Sequence, residues 1–179
     1  ISACLVGSEM CIRDRSAPSA LFKISPACTF ASTRNAKSRS SGMRSDRSSF
    51  GFTLVGLADV EVKEARERVR SALQNSGLEF PHNKRITVNL APADLPKDSG
   101  RLDLPIALGI LAASGQIDAN KLAGYEFAGE LSLSGQLRPV RGALAMALGM
   151  QQHQSALAWV LPPHSAEEAA LLPNAKVYR

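Results

Sequence analysis

The fold is decided by residues 52–77, FTLVGLADVEVKEARERVRSALQNSG, in which a short apolar run directly precedes a helical pattern. The run at 52–57 predicts a buried strand. Asp59 is placed to cap a helix, and Gly77 is the kind of residue that ends one. We therefore expect a strand followed by an amphipathic helix. Its apolar stripe, with members three and four residues apart, consists of Val62, Ala65, Val69, Ala72 and Leu73.

The charged residues of this helix, at positions 63–70, are most simply explained as its solvated face. Glu64 and Arg68 are four residues apart, a spacing at which opposite charges pair across one turn of a helix. We expect this pair to lie on the helix surface.

The rest of the chain alternates strand and helix patterns. Residues 104–115 are apolar on every side, which predicts a buried helix with Asp103 as its cap. Ser165 and Glu168 have the spacing of a capping box. This order of elements predicts an α/β (α+β) fold in which helices cover one sheet. The other expected elements are a strand at 86–90, a hairpin at 126–140 turning at Ser134 and Gly135, a helix at 142–150, a strand at 156–161 and a strand beginning at Val177.

Charge and cysteine content separate the first fifty residues from the rest. The net charge of the 179-residue chain is +5, and residues 1–50 hold eight of its 21 Lys and Arg but only three of its 16 Asp and Glu, so residues 51–179 are neutral. Cys4, Cys11 and Cys28 also precede residue 51, and their spacing fits neither a disulfide framework nor a zinc site. No apolar run approaches the roughly 20 residues of a membrane span.

The segment at 16–50 mixes Ser, Arg and Ala without helical or strand periodicity, so it offers little apolar area to offset the entropy of ordering. It could be a basic arm for nucleic acid, a disordered tail, or a wrong-frame translation that follows adapter-like sequence at 1–15. The abrupt change of composition at Gly51 favours the last interpretation. We expect an unstructured or artefactual head at 1–50 and one domain at 51–179.

Three blocks of sequence resemble the ComM/YifB family of bacterial magnesium-chelatase-like AAA+ ATPases. They are residues 52–77, residues 85–117 (RITVNLAPADLPKDSGRLDLPIALGILAASGQI) and residues 127–147 (FAGELSLSGQLRPVRGALAMA). The resemblance implies the N-terminal, Lon-protease-like domain of that family. Its fold resembles domain 2 of ribosomal protein S5, as do the Lon protease domain and the C-terminal domain of RadA.

The same resemblance implies a longer parent protein. In the family an AAA+ module follows, binds ATP and Mg²⁺, and acts on DNA as a ring-shaped motor associated with branch migration during natural transformation. The family's VEVH-type strand and GLP turn are missing before residue 52, and the closing elements stop at Arg179. We therefore expect a cytoplasmic fragment whose sheet is incomplete at both ends, and a homo-hexameric parent.

Three kinds of chemistry are not predicted for the chain itself. When the sequence is aligned with Lon, which uses a Ser/Lys dyad, Arg101 occupies the position of the nucleophilic serine and Leu144 that of the lysine. Ser99 lies two residues before the nucleophile position. The sequence has no Gly-Lys pair and hence no Walker A loop. His82, His153 and His164 are too far apart in sequence to suggest a metal site. We expect no catalytic, cofactor-binding or metal-binding residues.

Basic loop residues remain as candidates for contacts with DNA phosphates or with the ATPase module. A competing interpretation pairs them with Asp94, Asp98, Asp103 or Glu130 to hold the loops in place. The candidates are Lys84, Arg85, Lys97, Arg101, Arg138 and Arg141.

These observations predict a non-catalytic accessory domain of a DNA-processing AAA+ ATPase, which packs against its own motor ring. Three rivals stay open: a stand-alone nucleic-acid-binding module of the S5 type, a Lon-type serine peptidase domain, and a subunit that inserts magnesium into porphyrin.

Overall fold

The computed structural model describes residues 2–6, 9–13, 22–24, 52–55, 60–82, 86–91, 100–152 and 157–179. Its helices are α1 Val60–Asn75, α2 Asp103–Ala113, α3 Ala143–Gln152 and α4 Pro163–Ala169, with 3₁₀ turns at Gly100–Leu102 and Ala119–Leu122. Its strands are β1 Ser2–Val6, β2 Glu9–Arg13, β3 Phe22–Ile24, β4 Phe52–Val55, β5 Ile86–Ala91, β6 Tyr125–Phe127, β7 Glu130–Leu131, β8 Leu137–Arg138, β9 Ala158–Val160 and β10 Val177–Tyr178.

The main sheet is mixed and has the strand order β10-β9-β6-β3-β1-β2-β5-β4. Its pairs are parallel except β1 with β2 and β3 with β6, which are antiparallel. Strands β7 and β8 form a separate antiparallel pair. Helices alternate with parallel strands and pack on them, so the predicted α/β class is confirmed.

Two apolar clusters hold the helices to the sheet. The first joins α1 and α2 to β5, with Val69 and Ile106 at 0% exposure and Val88 on the strand equally buried. The second joins α3 and α4 to β9 around Trp159 and Leu161. The stripe predicted on α1 is confirmed at Ala65, Val69, Ala72 and Leu73, all of which are buried.

Strands β1, β2 and β3 belong to residues 1–50, for which the sequence predicts an unstructured or artefactual head. Strands β1, β2 and β3 lie between β5 and β6, where they pair with both. Without these three strands, the facing edges of β5 and β6 would present unpaired N–H and C=O groups. The division at residue 51 and the artefactual origin of the head stay predictions.

Two predicted helix caps are wrong. Leu102, not Asp103, is the N-cap of α2, and Asp103 begins the helix with its carboxylate turned to α1 and β7. Helix α4 begins at Pro163 after Pro162, so Ser165 and Glu168 lie inside it. Both side chains instead bind backbone groups around the start of α3. A cap at Asp59 lies outside the described residues.

Candidate interaction site at the hairpin

The β7–β8 hairpin carries the candidate Arg138 and is held together by backbone and side-chain hydrogen bonds. Glu130 lies opposite Arg138, and Leu131 lies opposite Leu137. The backbone N–H of Ser132 donates to the carbonyl of Gln136 at 2.9 Å, and Ser132 Oγ accepts from the N–H of Gln136 at 3.0 Å. The predicted turn at Ser134 and Gly135 is thus confirmed and held by its own hydrogen bonds.

A partly buried ion pair anchors this hairpin to α1 and α2. Arg68 of α1 donates to Asp103 of α2 through Nε at 2.6 Å and Nη2 at 3.0 Å. The same carboxylate accepts the backbone N–H of Leu131 at 3.1 Å. Asp103 is fully buried, whereas the Arg68 side chain keeps 19% exposure. One carboxylate therefore fixes the positions of two helices and a strand.

Burial and hydrogen bonding act in opposite directions on this carboxyl. Removal from water raises the pKa of Asp103 above its usual value, and this effect exceeds the lowering by the Arg68 guanidinium and the Leu131 N–H. The hydrogen bond from Arg68 to Asp103 raises the pKa of Arg68, which therefore stays charged.

The hairpin turn also rests on the end of α1. Asn75 Nδ2 donates to the carbonyl of Leu133 at 2.6 Å. Gly135 has φ +87°, and a β-carbon at this position would lie 2.5 Å from Ser76 Oγ and 3.2 Å from the Ala72 carbonyl oxygen. Only glycine fits this approach without displacement. The turn is consequently fixed at its tip as well as at its base.

Glu130 lies between Arg138 and the 3₁₀ turn that contains Arg101. Arg138 Nη1 lies 3.6 Å from Glu130 Oε1, and the Arg138 side chain is 63% exposed. The 3₁₀ turn that contains Arg101 lies against the same residue. Gly100 is so close to Glu130 that an added β-carbon would be 2.5 Å from Glu130 Cγ. The Arg101 carbonyl accepts a hydrogen bond from the backbone N–H of Gly129 at 3.0 Å. The ion pair of Arg138 with Glu130 is one that the competing interpretation predicted, in which the basic residues pair with acids to hold the loops in place.

Arg141 follows the hairpin in an exposed turn before α3. The residue before it is fixed, since Val140 donates its N–H to Ser165 Oγ at 2.9 Å and accepts from the same hydroxyl at 3.2 Å. Arg141 thus extends from an anchored backbone. Lys84, Arg85 and Lys97, the other three candidates, lie outside the described residues, as do Asp94 and Asp98.

Sequence reasoning missed the importance of Arg68. The pairing with Glu64 is present at 3.8 Å, but Arg68 makes its short contacts with Asp103, 35 residues away. Its position beside Val69 and Ala65, near the edge of the apolar stripe, was the available signal. An arginine at such an edge can bury its stem and direct its guanidinium to a neighbouring helix.

The described residues offer neither a metal cluster nor a membrane span. Among them, no group of three or more His, Cys, Asp or Glu side chains is placed to hold a metal ion. Within the same ranges, no helix is both long enough and apolar enough to cross a bilayer.

Comparison with known proteins confirms the predicted resemblance. The family described as subunit ChlI of Mg-chelatase matches residues 43–165. Competence protein ComM of Haemophilus influenzae is 54% identical over 128 residues, which cover 72% of this chain and 25% of that protein. The uncharacterized protein YifB of Escherichia coli is 63% identical over 97 residues, or 54% of this chain and 19% of that protein. An uncharacterized protein of Mycobacterium bovis is 38% identical over 127 residues, covering 71% of this chain and 25% of its own. The chain spans about a quarter of the length of the relatives it matches, or less.

Proposed function

Because the chain belongs to the family of subunit ChlI of Mg-chelatase, we propose that it is a non-catalytic accessory domain of a magnesium-chelatase-like AAA+ ATPase that acts on DNA. The observation that carries the proposal is the anchored hairpin with Arg138 and Arg141 at its exit. The name of the Haemophilus relative, a competence protein, supports DNA as the substrate of the whole protein.

The proposed absence of catalysis rests on the residues at the two dyad positions. Arg101, at the nucleophile position, lies in a 3₁₀ turn, and a guanidinium is not a nucleophile. Leu144, at the lysine position, lies in the first turn of α3 and donates its backbone N–H to Glu168 Oε1 at 3.2 Å. In this proposal ATP and Mg²⁺ belong to the ATPase module, since the present sequence contains no Gly-Lys pair for a phosphate loop.

We place the DNA contact at Arg138 and Arg141, together with Arg101, Lys84, Arg85 and Lys97. The ion pair of Arg138 with Glu130 is exposed, and such pairs contribute about 0–1 kcal/mol, so phosphate can compete for this side chain. Arginines directed at phosphate give affinity without sequence preference. A surface held in place at both ends of the hairpin would lose little entropy on binding.

DNA binding by the full 179-residue chain, measured against salt concentration with a fluorescent duplex and a fluorescent fork, tests this placement. Arg138→Gln with Arg141→Gln should weaken binding several-fold and reduce the salt slope by about 0.9 for each phosphate that is no longer neutralised. Arg66→Gln with Arg70→Gln removes the same charge from α1 and is the matched control. Equal weakening by the two double variants would reject the hairpin as the contact.

The remaining partners follow from the same proposal. The domain would pack against its own ATPase module within a homo-hexameric ring in the cytoplasm. Full-length relatives carrying the two hairpin substitutions should retain ring assembly by sedimentation while losing DNA-stimulated ATP hydrolysis. Strong DNA binding by the isolated chain, with no effect of the ATPase module, would favour the stand-alone S5-type binding module instead.

A further inference from the structure

A cavity of about 240 Å³ lies between α3, β9 and the segment that follows α4, away from the hairpin. At roughly 30 Å³ for each water molecule in the liquid, it has room for about eight waters, which suits a small ligand. Most of its wall is apolar and includes Met150, Trp159, Leu172 and Val177. Such a wall favours an aliphatic or aromatic group over a sugar or nucleotide.

The polar part of the wall favours a negatively charged group. Lys176 supplies an exposed ammonium, Gln151 and Asn174 supply amides, and the described lining contains no carboxylate. Trp159 is 3% exposed, and its indole Nε1 has no hydrogen-bond partner among the described residues. A buried indole N–H normally has an acceptor.

Lys176 directly precedes β10, and its backbone lies beside that of Trp159. The backbone N–H of Trp159 donates to the carbonyl of Lys176 at 2.7 Å, and Trp159 is in register with Val177. An acceptor group bound at this end of the cavity would lie against a wall to which both Lys176 and Trp159 contribute. The opposite, apolar end would receive the rest of the ligand.

From this arrangement we propose that the cavity beside Trp159 binds a small apolar carboxylate. Lys176 pairs with the carboxylate, and Met150, Leu172 and Val177 enclose the apolar part. The carboxylate could come from a free small molecule or from the C-terminus of a peptide, since both present the same chemistry. The site is separate from the hairpin and does not depend on the function proposed above.

Tryptophan fluorescence of the full chain tests the proposal, because Trp159 is its only tryptophan. Sodium hexanoate should change the emission of Trp159 in a saturable way. Hexan-1-ol should bind more weakly and hexylamine more weakly still, because the first lacks the charge and the second carries the opposite one. N-acetyl-leucine, which imitates a peptide C-terminus, should bind more tightly than hexanoate if the natural source is a peptide, and more weakly if it is a free molecule. No saturable change with either carboxylate, or equal binding of hexanoate and hexylamine, would overturn the proposal.

Variants separate the role of the charge from that of the cavity. Lys176→Gln should weaken hexanoate binding roughly two- to fivefold, the range of an exposed ion pair, and leave hexan-1-ol unchanged. Lys121→Gln removes the same charge from an exposed lysine that does not line the cavity and should change neither. Ala147→Leu fills the cavity and should abolish binding of both ligands; Ala175→Leu serves the same purpose if circular dichroism shows that the first variant is unfolded. Hexanoate binding that survives Lys176→Gln and both filled variants would show that the ligand lies elsewhere.

Discussion

Arg68 and Asp103 are 35 residues apart in sequence, yet they share two hydrogen bonds of 2.6 and 3.0 Å between α1 and α2. Asp103 also accepts a hydrogen bond from the backbone N–H of Leu131, which links the pair to β7. The position of the candidate hairpin therefore depends on a buried polar contact as well as on apolar packing.

Removal of the buried carboxylate should destabilise the chain markedly. Asp103→Ala leaves the Arg68 guanidinium and the Leu131 N–H without their acceptor, and we expect a loss of about 2–4 kcal/mol in the free energy of unfolding. Urea unfolding followed by circular dichroism measures it. Glu64→Ala removes only the exposed 3.8 Å contact of Arg68 and should change stability by less than about 0.5 kcal/mol. Equal losses in the two variants would contradict the assigned role of Asp103.

The raised pKa of Asp103 sets the sign of its pH dependence. The folded protein holds this proton more tightly than the unfolded chain does. The stabilisation from this group is therefore complete below the ordinary aspartate pKa of about 3.9 and is lost as pH rises through the raised value. Asp103→Asn cannot titrate at this position. The free energy of unfolding in urea of the native chain, minus that of Asp103→Asn, should therefore be larger near pH 3.5 than near pH 7. An advantage that grows toward pH 7 would show that the ion pair outweighs burial.

Substitution of Gly135 should lower the stability of the fold by more than its positive φ alone would cause. Gly135→Ala introduces a β-carbon 2.5 Å from Ser76 Oγ and 3.2 Å from the Ala72 carbonyl, at φ +87°. Gly115→Ala has a similar φ of +76° and no atom within 4 Å, so it measures the conformational cost, about 1–2 kcal/mol. In thermal unfolding, the melting temperature of Gly135→Ala should be lower than that of Gly115→Ala. Adding Ser76→Ala to Gly135→Ala should recover part of this difference in melting temperature. Identical melting temperatures for the two alanine variants would mean that the hairpin tip does not rest on α1.

Loss of the Ser165 hydroxyl should lower the free energy of unfolding by about 1–3 kcal/mol. It is 2% exposed and binds both the N–H and the carbonyl of Val140, so Ser165→Ala leaves two buried backbone groups unsatisfied. His164→Ala changes an exposed neighbour on α4 and is the control. The measurement is again the free energy of unfolding in urea. A loss no larger than that of His164→Ala would indicate that water replaces the hydroxyl.

Much of the fold was predictable because it depends on local patterns. The spacing of apolar residues in α1, the uniformly apolar α2 and the turn at Ser134 and Gly135 were all identified from sequence, and the structure has them at those positions. The two cap predictions failed for a common reason. Asp103 and Ser165 have the residue types of helix caps, but each finds a stronger set of partners on a distant element.

The candidate site was predictable in residue type but not in arrangement. Exposed arginines in loops can be identified from sequence, whereas the meeting of Arg138 with the Arg101 turn at Glu130 depends on the pairing of β7 with β8. The cavity beside Trp159 gave no sequence signal, because its walls come from α3, β9 and the segment after α4.

From residue 52 onward, the sequence by itself determined where most of the helices and strands lie, where the hairpin turns and which face of α1 is buried, since these depend on residues a few positions apart. Only the tertiary structure decided that Arg68 binds the buried Asp103 and is not simply a solvated charge, and that Trp159 borders a cavity with Lys176. These features join residues that are distant in the chain, and their energies depend on burial and on distance, which a linear pattern does not contain.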